Sequence, residues 1–359
     1  MIVLDSHCDT PSQVVRLRDL GQRSRLGHID FPKLREGGVD ACFFALYTSQ
    51  AMPEEVALPY VYKMLSKSKE AIDGCSYVSL ASGVDEIRAN KAAGHISILF
   101  GMENGMPIGK SVAVLEDLYG QGVRYLTLTH NGDNQLADSA SQGTTWNGLS
   151  PFGEEVVARM NELGMIVDLA HASDKTFYDA LSASATPIVS THSCCRALAS
   201  HRRNMDDKML RALADKGGVI QINFYPAFLS DAFNAAFSAN PLCDEADAVE
   251  EEFIADPADA AKRLAWDKMQ ERLLALDRPS YKRVADHIDH AVNVAGVESV
   301  GIGSDFDGIV VPPEGLEDAS KMPVLFEELR RRGYGQDAIE KIAGENFLRV
   351  FSEAEKYAK

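Results

Sequence analysis

The 359-residue sequence predicts an α/β protein, a (β/α)8 barrel of the TIM type. Three observations carry that expectation: eight short apolar runs, amphipathic segments between them, and metal-competent side chains at the ends of the runs. The runs lie at 2–6, 39–47, 96–101, 124–129, 165–169, 187–191, 218–223 and 299–303. Helical patterns occupy 54–72, 111–121, 153–163, 174–184 and 207–216. Strands alternating with helices of this size imply βαβ units and a parallel sheet. A doubly wound sheet is the competing arrangement, but its Gly-rich first turn has no counterpart in DSHCDTP.

Taken in order, the first run leads straight into His7 and Asp9. Residues i and i+2 of a strand share a face, so an HxD pair there can reach one ion. The third run ends just before Glu103. The fourth, fifth and sixth close on His130 (YLTLTH), His171 (MIVDLAH) and His192 (PIVSTH), and the eighth leads into Asp305 (GIGSDFDG). Any one of these is as well explained by a cap or a satisfied core histidine. Together they place metal-competent groups at the C-terminal ends of the strands, the ring where barrel enzymes carry their active sites. His28, His95, His287 and His290 fall in loops or helical stretches and read as structural or solvated; His201 has no assignment.

A long connection at 227–280 separates the seventh and eighth strands. It reads either as a lid or substrate wall, or as a helical insertion on the surface. Residues 336–351 read as a closing helix. No repeat or composition break divides the chain, so one domain over 1–359 is expected.

Composition excludes other classes. The formal charge is −17, from 36 basic and 53 acidic residues, which argues against electrostatic binding of nucleic acid or anionic lipid. No apolar run reaches membrane-span length, and MIVLDSHCD leaves no room for a signal peptide. The six cysteines are scattered without a CxxC pair, which suits a reducing compartment. The expectation is a soluble, cytoplasmic protein.

The ligand inventory suggests a pair of ions. Three histidines, an aspartate and a glutamate can serve two metals about 3.5–4 Å apart, with a carboxylate spanning both. Glu103 is the natural bridge, because a carboxylate has two oxygens to share. A water held between the ions would become a hydroxide nucleophile near neutral pH. No GxSxG elbow offers a serine instead.

At this point the sequence resembles the membrane dipeptidase (renal dipeptidase) family of the amidohydrolase superfamily. The matching pieces are DSHCDTP, DFPKLREGGVDACFF, TLTHN, GLSPFGEEVVARMNELGMIVDLAHAS, RNMDD, INFYP, VADHIDH, GIGSDFDG and GENFLRVF, running in order from residue 5 to residue 351. The resemblance implies a zinc-dependent dipeptidase with two zinc ions per chain, bridged by Glu103 and a water or hydroxide. It implies that His7, Asp9 and Glu103 hold one zinc, and Glu103, His171 and His192 the other. His130 would stabilise the oxyanion rather than bind metal, and Arg203 would receive the substrate's C-terminal carboxylate. Arg202, adjacent, fits that position less well. Asp305 would take a proton from the attacking water and pass it to the leaving amine. Tyr225 would line the pocket, L,D-dipeptides would be among the substrates, and a homodimer is implied. The chain departs from the family pattern at Asn104, where a glycine is usual, and at Cys194–Cys195, where small hydroxyl residues are usual. Both bear on substrate preference. A hydrolase of another small amide, such as an N-acyl amino acid, and a catalytically silent relative are the alternatives.

Overall fold

The computed structural model describes residues 1–141 and 144–359. Its sheet contains β1 (Leu4–Cys8), β2 (Ala41–Tyr47), β3 (Val78–Leu80), β4 (Ile96–Glu103), β5 (Val123–Thr127), β6 (Ile166–Asp168), β7 (Val189–Ser193), β8 (Val219–Ile222) and β9 (Val300–Ile302). All pairings are parallel, in the order β1-β2-β4-β5-β6-β7-β8-β9. These eight strands form the barrel. β3 is an addition that the sequence reading missed; it pairs only with the start of β4. Three residues are too few to show a period, which is why it escaped notice.

Closure between β9 and β1 comes just beyond the strand ends. Asp305 N donates to His7 O at 3.0 Å, and Asp9 N donates to Phe306 O at 2.9 Å. Ser304 donates its N–H and hydroxyl to the buried Asp5 carboxylate at 2.8 and 2.5 Å. Gly303 permits this seam, since a Cβ there would stand 1.8 Å from Thr191 O.

Because the strands are parallel, both faces must be covered. Alternate residues divide accordingly. Phe43, Leu99, Tyr125, Val189 and Val219 belong to one buried cluster, with Phe347 and Phe351 of the C-terminal helix Asn346–Tyr357, which follows a break at Gly344 inside the expected 336–351 helix. Phe44, Ile98, Phe100, Met102 and Leu126 belong to a second, packed with the surrounding helices. The predicted closing helix is therefore a plug: the Phe43 ring lies 5.1 Å from Phe347 and 6.2 Å from Phe351. Helices Asp174–Ala183 and Asp207–Asp215 start where expected, and Pro151–Leu163 starts two residues before the expected 153. Ser150, Ser173 and Asp206 cap them by accepting backbone N–H bonds.

The long connection folds into helices Pro226–Leu229, Asp231–Ser238, Pro241–Ala255 and Ala260–Leu274. It has a small core of its own, with Leu242, Ala246, Met269 and Leu273 packed on Val311. Phe237, Ala246 and Glu250 face the cavity over the barrel mouth, so this segment is a wall of that cavity rather than a detached surface insertion. Among the described residues no helix is long and apolar enough to cross a membrane.

Candidate active site

Strand ends position the predicted residues. His7 lies within β1, and Asp9 follows it directly. Glu103 is the last residue of β4, two residues beyond the predicted end of that run, and His192 lies in β7. His130, His171 and Asp305 each follow their strand by three residues. His171 and Asp305 adopt left-handed backbone, with φ of 65° and 61°, as does Asn104 beside Glu103 at 80°. Non-glycine residues in that region are uncommon and gather at functional sites.

Glu103 is the centre. Its Oε2 faces His7 Nε2 at 3.4 Å, while its Oε1 faces His171 Nε2 at 3.0 Å and His192 Nε2 at 3.5 Å. Asp9 Oδ2 stands 3.5 Å from His7 Nε2. Among the described residues, three groups of side chains have ligand atoms close enough to share an ion: His7, Glu103 and His192; Glu103, His130 and His171; and His7, Asp9 and Asp305. Geometry alone thus leaves His130 among the candidate ligands, as the residue pattern also does.

Each histidine is held from behind. His7 Nδ1 bonds Tyr125 Oη at 2.8 Å, His171 Nδ1 bonds Asn131 Oδ1 at 3.2 Å, and His192 Nδ1 bonds Thr191 Oγ1 at 2.9 Å. That leaves every Nε2 turned inward. Among the described residues, the Nε2 atoms of His7 and His192 and Asp9 Oδ1 are buried without a hydrogen-bond partner. Buried polar atoms are nearly always paired, so a cluster of inward-facing orphans with nitrogen and carboxylate donors fits divalent metal. Gly308 adds room: a Cβ there would stand 2.1 Å from Asp9 Oδ2 and 2.5 Å from Asp305 Oδ1.

The charges are strongly coupled. Burial pushes Glu103 up, but His7 beside it and the facing rings of His171 and His192 outweigh that, so it stays ionised well below the usual carboxylate range. Burial works against a charged His7, and Glu103 and Asp9 overcome it. Burial lowers His171 and His192 well below the usual range, helped by Arg203 and His7 respectively. Burial also lowers His130. It raises Asp305 to about 6, although His7 opposes the rise. Asn223 donates to Asp305 Oδ2 at 2.9 Å, which fixes its orientation.

The cavity over these groups measures about 830 Å³. Asp9, Glu103, His130, His171, Tyr225 and Asp305 line it; His7, His192 and Arg203 do not. Arg203 is buried beneath Phe228, with its guanidinium carbon 5.4 Å from that ring, and Nη2 donates to His192 O at 3.3 Å. Its Nε has no acceptor. Burial brings its pKa down to about 10. His201, unassigned from sequence, lines the cavity and accepts from Arg203 N at 3.2 Å. The four histidines read as structural fit that reading: His28 accepts from Asp307 N, His95 bonds Ser79, His287 bonds Cys195 and Leu229, and His290 bonds Asp207. Sequence reasoning missed Tyr125, Asn131, Asp168, Thr191 and Asn223. An aspartate inside the apolar run MIVDLA was the available signal for Asp168.

Comparison with known proteins agrees. The sequence model of the membrane dipeptidase family (Peptidase family M19) matches residues 1–359. An uncharacterized dipeptidase of Schizosaccharomyces pombe is 34% identical over 384 residues, covering 99% of this chain and 81% of that protein. Dipeptidase aclJ of Aspergillus oryzae is 34% identical over 349 residues, covering 93% and 71%. Among solved structures, the probable dipeptidase PvdM from Pseudomonas aeruginosa superposes with a TM-score of 0.82 at 26% identity, covering 100% of this chain and 96% of that one. A metallo peptidase from Rhodobacter sphaeroides, liganded with a phosphinate mimic of the dipeptide L-Ala-D-Ala, shares the fold with a TM-score of 0.80 at 23% identity, over 99% of each chain. With the barrel, the inward-facing donor set and a match along its whole length, the chain belongs to the membrane dipeptidase family of metallopeptidases and is a peptide-bond hydrolase.

Proposed function

We propose that this chain, as one catalytic domain over 1–359, hydrolyses dipeptides with two zinc ions at the barrel mouth. The observation that carries the reading is Glu103, whose two oxygens face different histidines with inward-facing Nε2 atoms. His7, Asp9 and Glu103 would hold one ion, and Glu103, His171 and His192 the other. When bound, such ions supply Lewis acidity, polarising the scissile carbonyl and bringing the pKa of a water towards neutrality.

The chain's own groups do the rest. Asp305, raised to about 6 and oriented by Asn223, is suited to take a proton near neutral pH and return it to the departing amine. His130 lies at the cavity wall, its ring 4.3 Å from His171 and 4.8 Å from Tyr47. Kept neutral by burial, it can donate one hydrogen bond to the developing oxyanion. Arg203 gives the substrate carboxylate a planar, two-pronged partner, reached past Phe228 and His201. Tyr225 and the 227–280 wall bound the remaining space. A cation one residue beyond the scissile bond favours dipeptides over longer chains, and we include L,D-dipeptides among the substrates.

The test is metal content by elemental analysis, with hydrolysis of L,L- and L,D-dipeptides and N-acyl amino acids before and after chelation. About two zinc ions per chain, with dipeptide turnover lost on chelation and restored by zinc, is the expected result. Turnover of N-acyl amino acids alone would overturn the substrate assignment while leaving the metal site standing.

A further inference from the structure

Asp168 ends β6 fully buried, and nothing in the proposed chemistry uses it. Four groups point hydrogens at its carboxylate. Thr191 N and Ala170 N donate to Oδ1 at 2.8 and 3.0 Å. Thr191 Oγ1 and Thr127 Oγ1 donate to Oδ2 at 2.6 and 2.5 Å. Burial pushes this carboxyl up, and those four hydrogen bonds work against the rise.

The hydroxyl of Thr191 has one hydrogen, and Asp168 takes it. Towards His192 Nδ1, 2.9 Å away, Thr191 Oγ1 can therefore only accept. His192 must carry its proton on Nδ1, which leaves Nε2 a bare lone pair. That atom is buried, unpartnered, and 3.5 Å from Glu103 Oε1. The other two histidines are held differently. His7 leans on the neutral hydroxyl of Tyr125, and His171 on the neutral amide of Asn131. Among the described residues, only the supporting chain of His192 ends in a carboxylate.

We propose that Asp168 is a positioning residue for His192: acting through Thr191 Oγ1, it fixes the Nδ1–H tautomer and so presents a bare Nε2 to the site. That this nitrogen then meets zinc rests on the reading above. The partners behind a metal-binding histidine set its ring orientation and basicity, and losing one typically costs 10–100-fold in metal affinity. The relay thus makes the His192 side of the site the more strongly supported one.

Thr191→Val removes the hydroxyl and keeps the shape, while Thr191→Ser keeps the hydroxyl. Thr127→Val is the control, because Thr127 also bonds Asp168 but does not touch His192. Each variant is stripped with chelator and titrated with zinc against a coloured competitor. Separately, ¹⁵N spectra of the histidine rings are recorded on the metal-free protein. Thr191→Val should weaken one of two zinc-binding steps about 10–100-fold, Thr191→Ser should restore it, and Thr127→Val should stay within about threefold of wild type. Metal-free wild type should show His192 as the Nδ1–H tautomer, with the preference lost in Thr191→Val. Equal effects of the two valine variants, or an Nε2–H tautomer in wild type, would overturn the relay. Wild type that takes up no zinc would instead refute the metal reading, and the ring spectra would still decide the relay, even if Thr191→Val failed to fold.

Discussion

At the residue scale, the site depends on placing like charges together and then separating their roles. Glu103, Asp9 and Asp305 converge on His7; burial pushes all three carboxyls up, and Asp9 and Asp305 stay raised even with His7 opposing. Glu103 stays ionised because imidazoles surround it. Burial raises Asp305 to about 6, the range in which a carboxyl can both accept and return a proton. Asp305→Asn keeps the shape and the hydrogen bond to Asn223 but removes the base. It should lower kcat about 10²–10⁴-fold. Dipeptide turnover checks this, with zinc content measured on the same sample. Activity within a few fold of wild type at full metal loading would remove Asp305 from the mechanism.

At the element scale, the helix Tyr281–Ala295 is tied to the loops around the site through His287. That ring accepts from Cys195 N at 3.1 Å and donates to Leu229 O at 3.1 Å, an arrangement that only the neutral form can make. Burial holds its pKa down to about 4, against about 6.5 for an unhindered histidine. Between those values the unfolded chain binds a proton that the folded chain refuses. This residue therefore makes stability fall as pH drops from about 6.5 towards about 4, by at most ~1.4 kcal/mol per pH unit within that window. Urea unfolding at pH 7, 6 and 5 should show a shallower pH dependence for His287→Gln than for wild type. Parallel curves for the two proteins would show that His287 is not the titrating group.

At the scale of the whole molecule, the barrel is plugged at one end and carries the candidate site at the other. The plug comes from the end of the sequence: Phe347 and Phe351 pack on Phe43, which in turn lies 5.3 Å from Tyr125, the residue behind His7. Glycine makes that stack possible, because a Cβ on Gly101 would stand 1.9 Å from the Tyr125 ring. Phe347→Ala empties a fully buried position and should cost ~3–5 kcal/mol. Chemical denaturation measures this. A loss below ~1 kcal/mol would mean that the C-terminal helix does not hold the barrel closed.

The sequence by itself determined the barrel and most of the polar side chains gathered at its mouth. Hydrophobic period and strand-terminal polar residues are local signals, and His7, Asp9, Glu103, His171 and His192 each sit within a few residues of a strand that the pattern reveals. It could not show β3, too short for a period, or that Glu103 belongs to its strand, since a buried carboxylate at a strand end breaks the apolar run that marks the strand. Only the tertiary structure decided which oxygen of Glu103 faces which histidine, that Arg203 lies beneath Phe228, and that the 227–280 segment walls the cavity. Tyr125, Thr191 and Asp168 were hidden for the same reason. Each acts on a side chain or charge brought close by the curvature of the sheet, and hydrogen-bond direction and burial exist only once that sheet has closed.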